Sequence, residues 1–205
     1  MSNFIRRPRW IVENIPTILF FALWRSGADL DQAAWAAAFA AFIVFCWLRE
    51  TRRSPDTILL GINLHFVLTA SIIQAVYVAG FEEFAREMIV YAGFAVPVMI
   101  LLTGIALSVL RRDGFIGENV LDSDIAAARS RALILWAAVT CVWSYAFIGD
   151  QFLSVGLPVI SIFAMRRLLR NPEIRLSGFL TVMTLFFARP IETSGRAARS
   201  AINAV

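Results

Sequence analysis

The chain alternates between long apolar runs and short polar segments that carry arginine, and this pattern limits the folds open to it. An α-helix needs about 20 apolar residues to cross the hydrocarbon core of a bilayer, and it pairs its own backbone polar groups there. The runs therefore predict membrane-spanning helices. Six of them cover residues 10–24, 33–48, 57–80, 88–110, 132–149 and 152–165.

The composition agrees with a membrane protein, because 59% of the 205 residues are hydrophobic and only 17% are charged. Soluble domains have about half apolar and about a quarter charged residues. A seventh apolar run, 176–188, would extend only about 20 Å as a helix, which is short for a span and leaves an interfacial position open. The prediction is an all-α, polytopic transmembrane helix bundle of six to seven spans.

Two segments of the chain share a pattern of residues. Each begins with a Trp, and after six further residues comes the pair Asp-Gln. An apolar run follows. Each copy then has an Arg, a Ser or Asn, a Pro and an acidic residue in succession, with a Leu and a Gly a few residues later. Self-similarity of this kind indicates an internal repeat. The matching positions are Trp24, Asp31, Arg53, Pro55 and Gly61 in the first copy and Trp143, Asp150, Arg170, Pro172 and Gly178 in the second.

The repeat divides the chain into four parts. Residues 1–80 are the first three-helix repeat, 81–110 the linking span, 111–131 a cytoplasmic loop, and 132–205 the second three-helix repeat with its tail. An offset of four spans gives the two copies the same orientation. We therefore expect two parallel three-helix units joined by a single span and related by a pseudo-two-fold axis along the membrane normal.

The arginines also predict an orientation in the membrane. All 19 basic residues are arginine, and successive connections carry three, one, three, one, four, none and four of them. Cytoplasmic loops hold the excess of positive charge in membrane proteins. We therefore expect the N-terminus and the loops 49–56, 111–131 and 166–175 to be cytoplasmic.

Several classes of function have no support in the pattern of residues. The arginines lie in separate clusters between apolar runs, so nucleic acid is not an expected partner. Cys46 and Cys141 lie within apolar runs and His65 is the only histidine, so no metal or other cofactor is expected. No nucleophile and base occur at a recognisable spacing, and we therefore assign no catalytic residues and expect no enzyme.

The third run carries the most polar residues within the predicted membrane. At 100° per residue, Asn63, Gln74 and Tyr77 share one helical face, and His65 lies on a neighbouring one. Polar groups at membrane depth seldom face lipid, so these four residues line either a substrate path or a hydrogen-bonded seam between helices. For His65 the two interpretations are a proton relay and an interhelical hydrogen bond.

The first half of the chain has a distinctive order of segments: a span with Ile-Pro-Thr-Ile-Leu-Phe-Phe at 15–21, an acidic turn, an Ala-rich span, an Arg-Pro loop and a polar span. Glu83-Phe84, Tyr91-Ala92 and Phe94-Ala95 follow. This arrangement resembles the intracellular septation protein A family, although that family's Lys-rich signature is absent. The resemblance implies a small multi-pass protein of the bacterial inner membrane, acting in envelope maintenance or septation without known chemistry.

Two functions from different classes follow from these observations. The first is a non-enzymatic structural or assembly role, with the lipid bilayer and other membrane proteins or a second copy of the chain as partners. The second is a facilitator that passes a small solute between the two repeats, since the three-plus-one-plus-three plan is similar to small facilitators for sugars or nicotinamide riboside. A midplane cavity lined by both copies would favour transport, and tightly packed seams would favour the structural role.

Overall fold

The computed structural model describes residues 9–51, 54–111, 114–117 and 123–170, and all regular structure within these ranges is helical. Consecutive helices pack against each other, and the most extensive interface joins α3 to α4. The helices are α1 (Arg9–Arg25), α2 (Leu30–Glu50), α3 (Thr57–Val78), α4 (Glu82–Leu110), α5 (Ser123–Ala146) and α6 (Leu157–Arg170), and the π-helical turn Phe152–Gly156 leads directly into α6.

Within the described residues, five stretches are long and apolar enough to cross a membrane: 30–50, 57–78, 82–110, 124–146 and 152–170. The chain is therefore a multi-pass membrane protein built as a helical bundle, as the apolar runs predict. Helix α1 has 17 residues, or about 25 Å of helix, and packs on α2 and α3. The predicted seventh run, 176–188, lies outside the described residues, as do Arg53, Pro172 and Gly178 of the repeat pattern.

Helices α4 and α5 begin well before the predicted apolar runs. Helix α4 begins at Glu82, ahead of the run 88–110, and α5 begins at Ser123, within the predicted cytoplasmic loop 111–131. Acidic residues in the first turn favour a helix because they interact with the positive end of its dipole. Glu82 and Glu83 supply this charge in α4, and Asp124 supplies it in α5.

Small residues let helix α2 approach its neighbours closely. Its buried side chains are mostly alanine, and it packs between α1 and α3. Large apolar side chains, among them Trp35, Phe39 and Phe42, lie exposed on α2. This distribution is typical of a membrane helix, because packing surfaces between helices in lipid are rich in small residues. The buried alanines are Ala33, Ala37, Ala38, Ala40 and Ala41.

Side chains of α5 form hydrogen bonds with the start of the next helix, close to Pro158. Pro158 has no N–H, so it cannot donate to the carbonyl oxygens of Leu153 and Ser154, which lie five and four residues earlier. The indole Nε1 of Trp143 donates to Leu153 O at 3.1 Å, and the Ser144 hydroxyl donates to Ser154 O at 2.5 Å. Two side chains of α5 thus donate to carbonyl oxygens beside the position where the proline supplies no backbone N–H.

The close approach of α3 to α4 depends on Gly61. A Cβ atom added there would lie 2.8 Å from the Cα of Ile100, a distance that real side chains do not adopt. Since Ile100 Cα is a backbone atom, the two helices would have to separate to admit even a methyl group. The glycine therefore sets the spacing of the largest helix interface in the bundle.

We expect Gly61→Ala to lower the free energy of unfolding by about 1–3 kcal/mol, because overpacking a tight contact forces the backbone to shift. The measurement is thermal unfolding of the purified protein in detergent. Gly156→Ala is the matched control, since its nearest new contact, at 3.2 Å, is the side chain of Phe152 rather than backbone. Equal destabilisation by both variants would contradict the assignment of α3 and α4 as a glycine-dependent interface.

Candidate functional site

A cluster of charged and polar groups joins four parts of the chain at one end of the bundle. Helix α1 contributes Glu13, the start of α3 contributes Asp56 and Thr57, and the end of α6 contributes Arg166 and Arg170. The loop 114–117 between α4 and α5 contributes backbone carbonyls. We call this cluster the polar junction. It brings together segments that are more than a hundred residues apart in sequence.

Asp56 is the centre of the polar junction. Its Oδ1 caps α3 by accepting hydrogen bonds from the backbone N–H of Ile58 at 3.0 Å and of Leu59 at 3.3 Å. The same carboxylate accepts from Arg166 Nη1, at 2.8 Å through Oδ1 and 2.6 Å through Oδ2. The pair is buried on the arginine side, since the side chain of Arg166 is 5% exposed and that of Asp56 is 27% exposed. One carboxylate thus ends α3 and holds α6.

Two arginines donate to a single carbonyl in the loop. Arg166 Nε lies 3.2 Å from the carbonyl oxygen of Ile116, and Arg170 Nη2 lies 3.1 Å from the same atom. The two arginines are four residues apart on α6, so they share one helical face. The loop is therefore attached to the end of α6 by charge-assisted hydrogen bonds, which are about twice as strong as neutral ones.

Glu13 connects α1 to the polar junction, although it lies within an apolar helix. Its Oε2 accepts the backbone N–H of Asp56 at 2.7 Å, and its backbone oxygen accepts from Asn63 Nδ2 at 3.1 Å. Glu13 is 1% exposed and Asn63 is 2% exposed. Both side chains lie in the interface between α1 and α3, so they belong to a hydrogen-bonded seam between these helices.

The loop 114–117 is held by hydroxyl groups and shaped by glycine. Thr57 Oγ1 donates to Phe115 O at 2.7 Å, while the N–H groups of Phe115 and Ile116 donate to the hydroxyl oxygens of Ser108 and Ser130, each at 3.2 Å. Phe115 and Ile116 are fully buried. Gly114 and Gly117 flank them with positive φ angles of 55° and 66°, a conformation that glycine adopts without strain.

A cavity of about 340 Å³ lies against the polar junction. Ligand pockets in proteins have volumes of about 300–1,000 Å³, so this cavity is large enough for a small polar molecule or head group. Its position, where α3 begins and α6 ends, is at one end of these helices rather than at their middle. The lining residues are Glu13, Ser54, Pro55, Asp56, Gly117, Arg166 and Arg170.

The four polar residues singled out on α3 divide into two pairs. Asn63 and His65 are buried, and Gln74 and Tyr77 are exposed. His65 Nδ1 lies 3.1 Å from the hydroxyl of Thr69, one turn further along the same helix. The structure thus places Asn63 in the seam with α1 and does not bring Gln74 and Tyr77 to that seam, because the second half of α3 is largely exposed.

The described anchors of the repeat pattern take different local roles. Asp150 caps the sixth helix by accepting from the backbone N–H of Leu153 at 3.0 Å, whereas Asp31 lies in the first turn of α2, whose N-cap is Asp29. Trp24 is exposed near the end of α1, and Gly61 is buried against α4. Pro55 and Arg170 line the cavity, and Trp143 bonds to Leu153 O.

Sequence reasoning missed Glu13 and Arg166, the two most buried charged residues of the polar junction. Glu13 was visible as an acid inside an apolar run, and an ionisable residue at such a position is by default a candidate for a functional or pairing role. Arg166 had no such signal, because it stands beside Arg167 in a cluster that is typical of a cytoplasmic loop. Within the described residues, no three His, Cys, Asp or Glu side chains come together as a metal site.

The described helices define a multi-pass, all-helical membrane protein with a buried ion pair at one end of its bundle. Comparison of the chain with protein families, with curated proteins and with solved structures gave no match. The polar junction and its cavity are therefore the features of the molecule that bear on its function.

We expect Asp56→Asn to lower the free energy of unfolding by about 2–4 kcal/mol, because the buried Arg166 loses its charged partner. Asparagine is itself a good N-cap residue, so the variant tests the ion pair rather than the end of α3. Asp31→Asn removes an exposed acid from the first turn of α2 and should cost less than about 0.5 kcal/mol.

A double-mutant cycle that combines Asp56→Asn with Arg166→Gln measures the interaction energy between the two side chains, apart from their interactions with other groups. If the ion pair joins α3 to α6, the double variant should be less destabilised than the two single effects predict together, by at least about 0.5 kcal/mol. Strict additivity in chemical unfolding would show that the two residues act independently.

Proposed function

We propose that the chain is a non-enzymatic protein of the bacterial inner membrane with a structural or assembly role in envelope maintenance or septation. The resemblance of about the first half of the chain, from Ile15 onward, to the intracellular septation protein A family favours this role. The observation that carries the proposal is that Glu13, Asn63, Asp56 and Arg166 form a packed, hydrogen-bonded seam. Such a seam stabilises one arrangement of helices, as a structural role requires.

The partners proposed for this role are other membrane proteins or a second copy of the chain, within the lipid bilayer. The described helices expose large apolar side chains, which suit contact with lipid or with other spans. Deletion of the gene from its source bacterium should change cell length or increase sensitivity to detergent, and the wild-type chain should restore both. Growth and shape unchanged under envelope stress would count against an envelope role.

A solute facilitator is the second candidate, and the cavity of about 340 Å³ is the observation that favours it. Its lining comes from both proposed repeats, with Glu13 and Asp56 from residues 1–80 and Arg166 and Arg170 from residues 132–205. In this alternative the cavity is one end of a path, and the ion pair between Asp56 and Arg166 closes it.

Proteoliposomes distinguish the two candidates. For the structural role we expect vesicles with the wild-type chain to swell in sugars, nucleosides and amino acids no faster than vesicles without protein. Asp56→Asn should leave this rate unchanged, since no path exists to be opened. Swelling that depends on the wild-type chain, and that changes in Asp56→Asn but not in Asp31→Asn, would establish the facilitator instead.

The proposed orientation places the polar junction on the cytoplasmic side, because the junction contains described parts of the three loops 49–56, 111–131 and 166–175 that are expected to be cytoplasmic. Cysteine introduced at exposed Ser54 should therefore react with a membrane-impermeant maleimide only after the cells are opened. Cysteine at exposed Ser26, in the turn between α1 and α2, is the matched position for the opposite side and should react in intact cells. Labelling of Ser54→Cys in intact cells, with Ser26→Cys labelled only after the cells are opened, would show that the topology is the opposite of the one proposed.

A further inference from the structure

The hairpin formed by α3 and α4 extends further than the neighbouring helices at the end opposite the polar junction. Helix α4 has 29 residues and is therefore about 44 Å long, whereas the hydrocarbon core of a bilayer is about 30 Å thick. Two aromatic contacts relate the hairpin to the helices beside it. The ring centroids of Phe20 and Phe66 are 5.2 Å apart, and those of Phe94 and Tyr145 are 5.7 Å apart.

The neighbouring helices end well before the hairpin does. Helix α1 ends five residues after its contact with α3, at about the level of residue 71. The turn 147–151 after α5 lies at about the level of residue 90 of α4. A Cβ added at Gly93 would lie 3.1 Å from the side chain of Val155, which agrees with this level. Residues 72–89, which we call the hairpin tip, therefore extend about 10 Å further.

Exposed charged residues mark the level at which the neighbouring helices end. Arg25 and Asp29 are exposed at the turn between α1 and α2, and Asp150 is exposed in the turn after α5. Charged side chains are costly within the hydrocarbon core, so both turns lie at its boundary or beyond it. The hairpin tip extends past both turns and therefore projects into the aqueous phase.

The turn at the hairpin tip has a defined structure. The N–H of Phe81 donates to Val76 O at 3.2 Å and that of Gly80 donates to Tyr77 O at 3.0 Å, while Gly80 has a φ of 87°. These two hydrogen bonds with a left-handed glycine form a Schellman motif, which ends α3 and leads directly into α4. The hairpin tip is therefore a preformed surface.

The surface of the hairpin tip is largely apolar. Val78, Phe81 and Phe84 are 74%, 65% and 56% exposed. Lipid does not cover these side chains, because the hairpin tip lies beyond the membrane boundary. Apolar patches that a protein exposes to water mark sites of interaction with other proteins.

Acidic residues surround the apolar side chains of the hairpin tip. Glu82, Glu83 and Glu87 are exposed there, together with one arginine, Arg86. Within the described residues, none of these four side chains forms an ion pair or accepts or donates a hydrogen bond. Three carboxylates against one guanidinium give the hairpin tip a net negative charge, and this charge is available to a partner.

The sign of the charge distinguishes between the possible partners. On this side of the bundle the described residues carry six acids and two arginines: Asp29, Asp31, Glu82, Glu83, Glu87 and Asp150 against Arg25 and Arg86. An anionic lipid surface and a second copy of the chain in the same orientation would both present like charge to the hairpin tip. A protein with a basic surface would be attracted to it.

We propose that the hairpin tip docks a protein outside the membrane whose binding groove is apolar and flanked by lysine or arginine. Helices commonly bind partners by placing apolar side chains in such a groove. Phe81 and Phe84 fill the groove, and Glu83 and Glu87, one turn apart on α4, face the basic residues at its edge. This inference rests on the proposed assembly role and deepens it, since it names the surface and the chemistry of the partner.

Photo-cross-linking in growing cells of the source bacterium tests the inference on the full-length chain. The photoreactive amino acid p-benzoylphenylalanine is incorporated in place of Phe84 and, as the matched control, in place of Phe39, which is similarly exposed but lies within the span of α2. We expect a discrete protein adduct from the first position that the second does not give. Mass spectrometry of the adduct identifies the attached segment, in which lysine and arginine should outnumber acids.

Charge reversal tests whether the acids of the hairpin tip contribute to docking. Glu83→Lys should lower the yield of the adduct by about threefold or more, because it places like charge opposite the basic edge of the groove. Asp31→Lys is the matched control, since it reverses an exposed acid in the first turn of α2 on the same side of the bundle. Both variants should keep the thermal unfolding midpoint of the wild-type chain. A lysine-to-glutamate change in the attached segment of the partner should restore the yield with Glu83→Lys.

Four results would overturn the inference: no protein adduct at position 84, an adduct to a second copy of the chain, an adduct to phospholipid alone, or equal loss with Glu83→Lys and Asp31→Lys. The deletion phenotype tests the envelope role separately. A deletion phenotype without an adduct keeps that role and removes the hairpin tip as its surface. A charge-sensitive adduct without a deletion phenotype supports the docking surface and contradicts the envelope role.

Discussion

The ion pair between Asp56 and Arg166 is the interaction on which the end of the bundle depends. A guanidinium that is only 5% exposed needs a charged partner, since an uncompensated charge in a medium of low polarity costs several kcal/mol. Asp56 can serve as that partner only if α3 begins at Thr57, because the same carboxylate caps its first turn. The start of α3 and the end of α6 are therefore mutually dependent.

Away from the polar junction, the helices are held together by close packing rather than by charge. The buried alanines of α2 and the contact of Gly61 with Ile100 permit short distances between backbones. In lipid, apolar side chains gain little by leaving one apolar environment for another, so association depends on such packing and on a few hydrogen bonds. The hydrogen bonds from Trp143 and Ser144 to the carbonyl oxygens of Leu153 and Ser154 are of the second kind.

The helices could be predicted from the sequence because apolar length is a local property, although α4 and α5 begin before their apolar runs. The partners of polar side chains could not. Asn63 and Gln74 lie on one face of α3 by periodicity, yet Asn63 is buried against α1 and Gln74 is exposed. Periodicity gives the direction of a side chain around a helix, but not how far along that helix its neighbours extend. In the same way, Asp31 and Asp150 match in sequence while only Asp150 caps its helix, since Asp29 precedes α2.

The arginines of α6 show why a count of charges predicts orientation better than it predicts structure. Arg166, Arg167 and Arg170 contribute equally to the positive-inside bias, because that bias depends on number and position along the chain. In the folded bundle they differ: Arg166 and Arg170 share a face and donate to Ile116 O, whereas Arg167 is exposed between them. The four-residue spacing of Arg166 and Arg170 thus directs both side chains to one carbonyl oxygen, in addition to their contribution to the positive charge that sets the orientation. It becomes visible only when the loop that supplies the carbonyl is known, and that loop is fifty residues away.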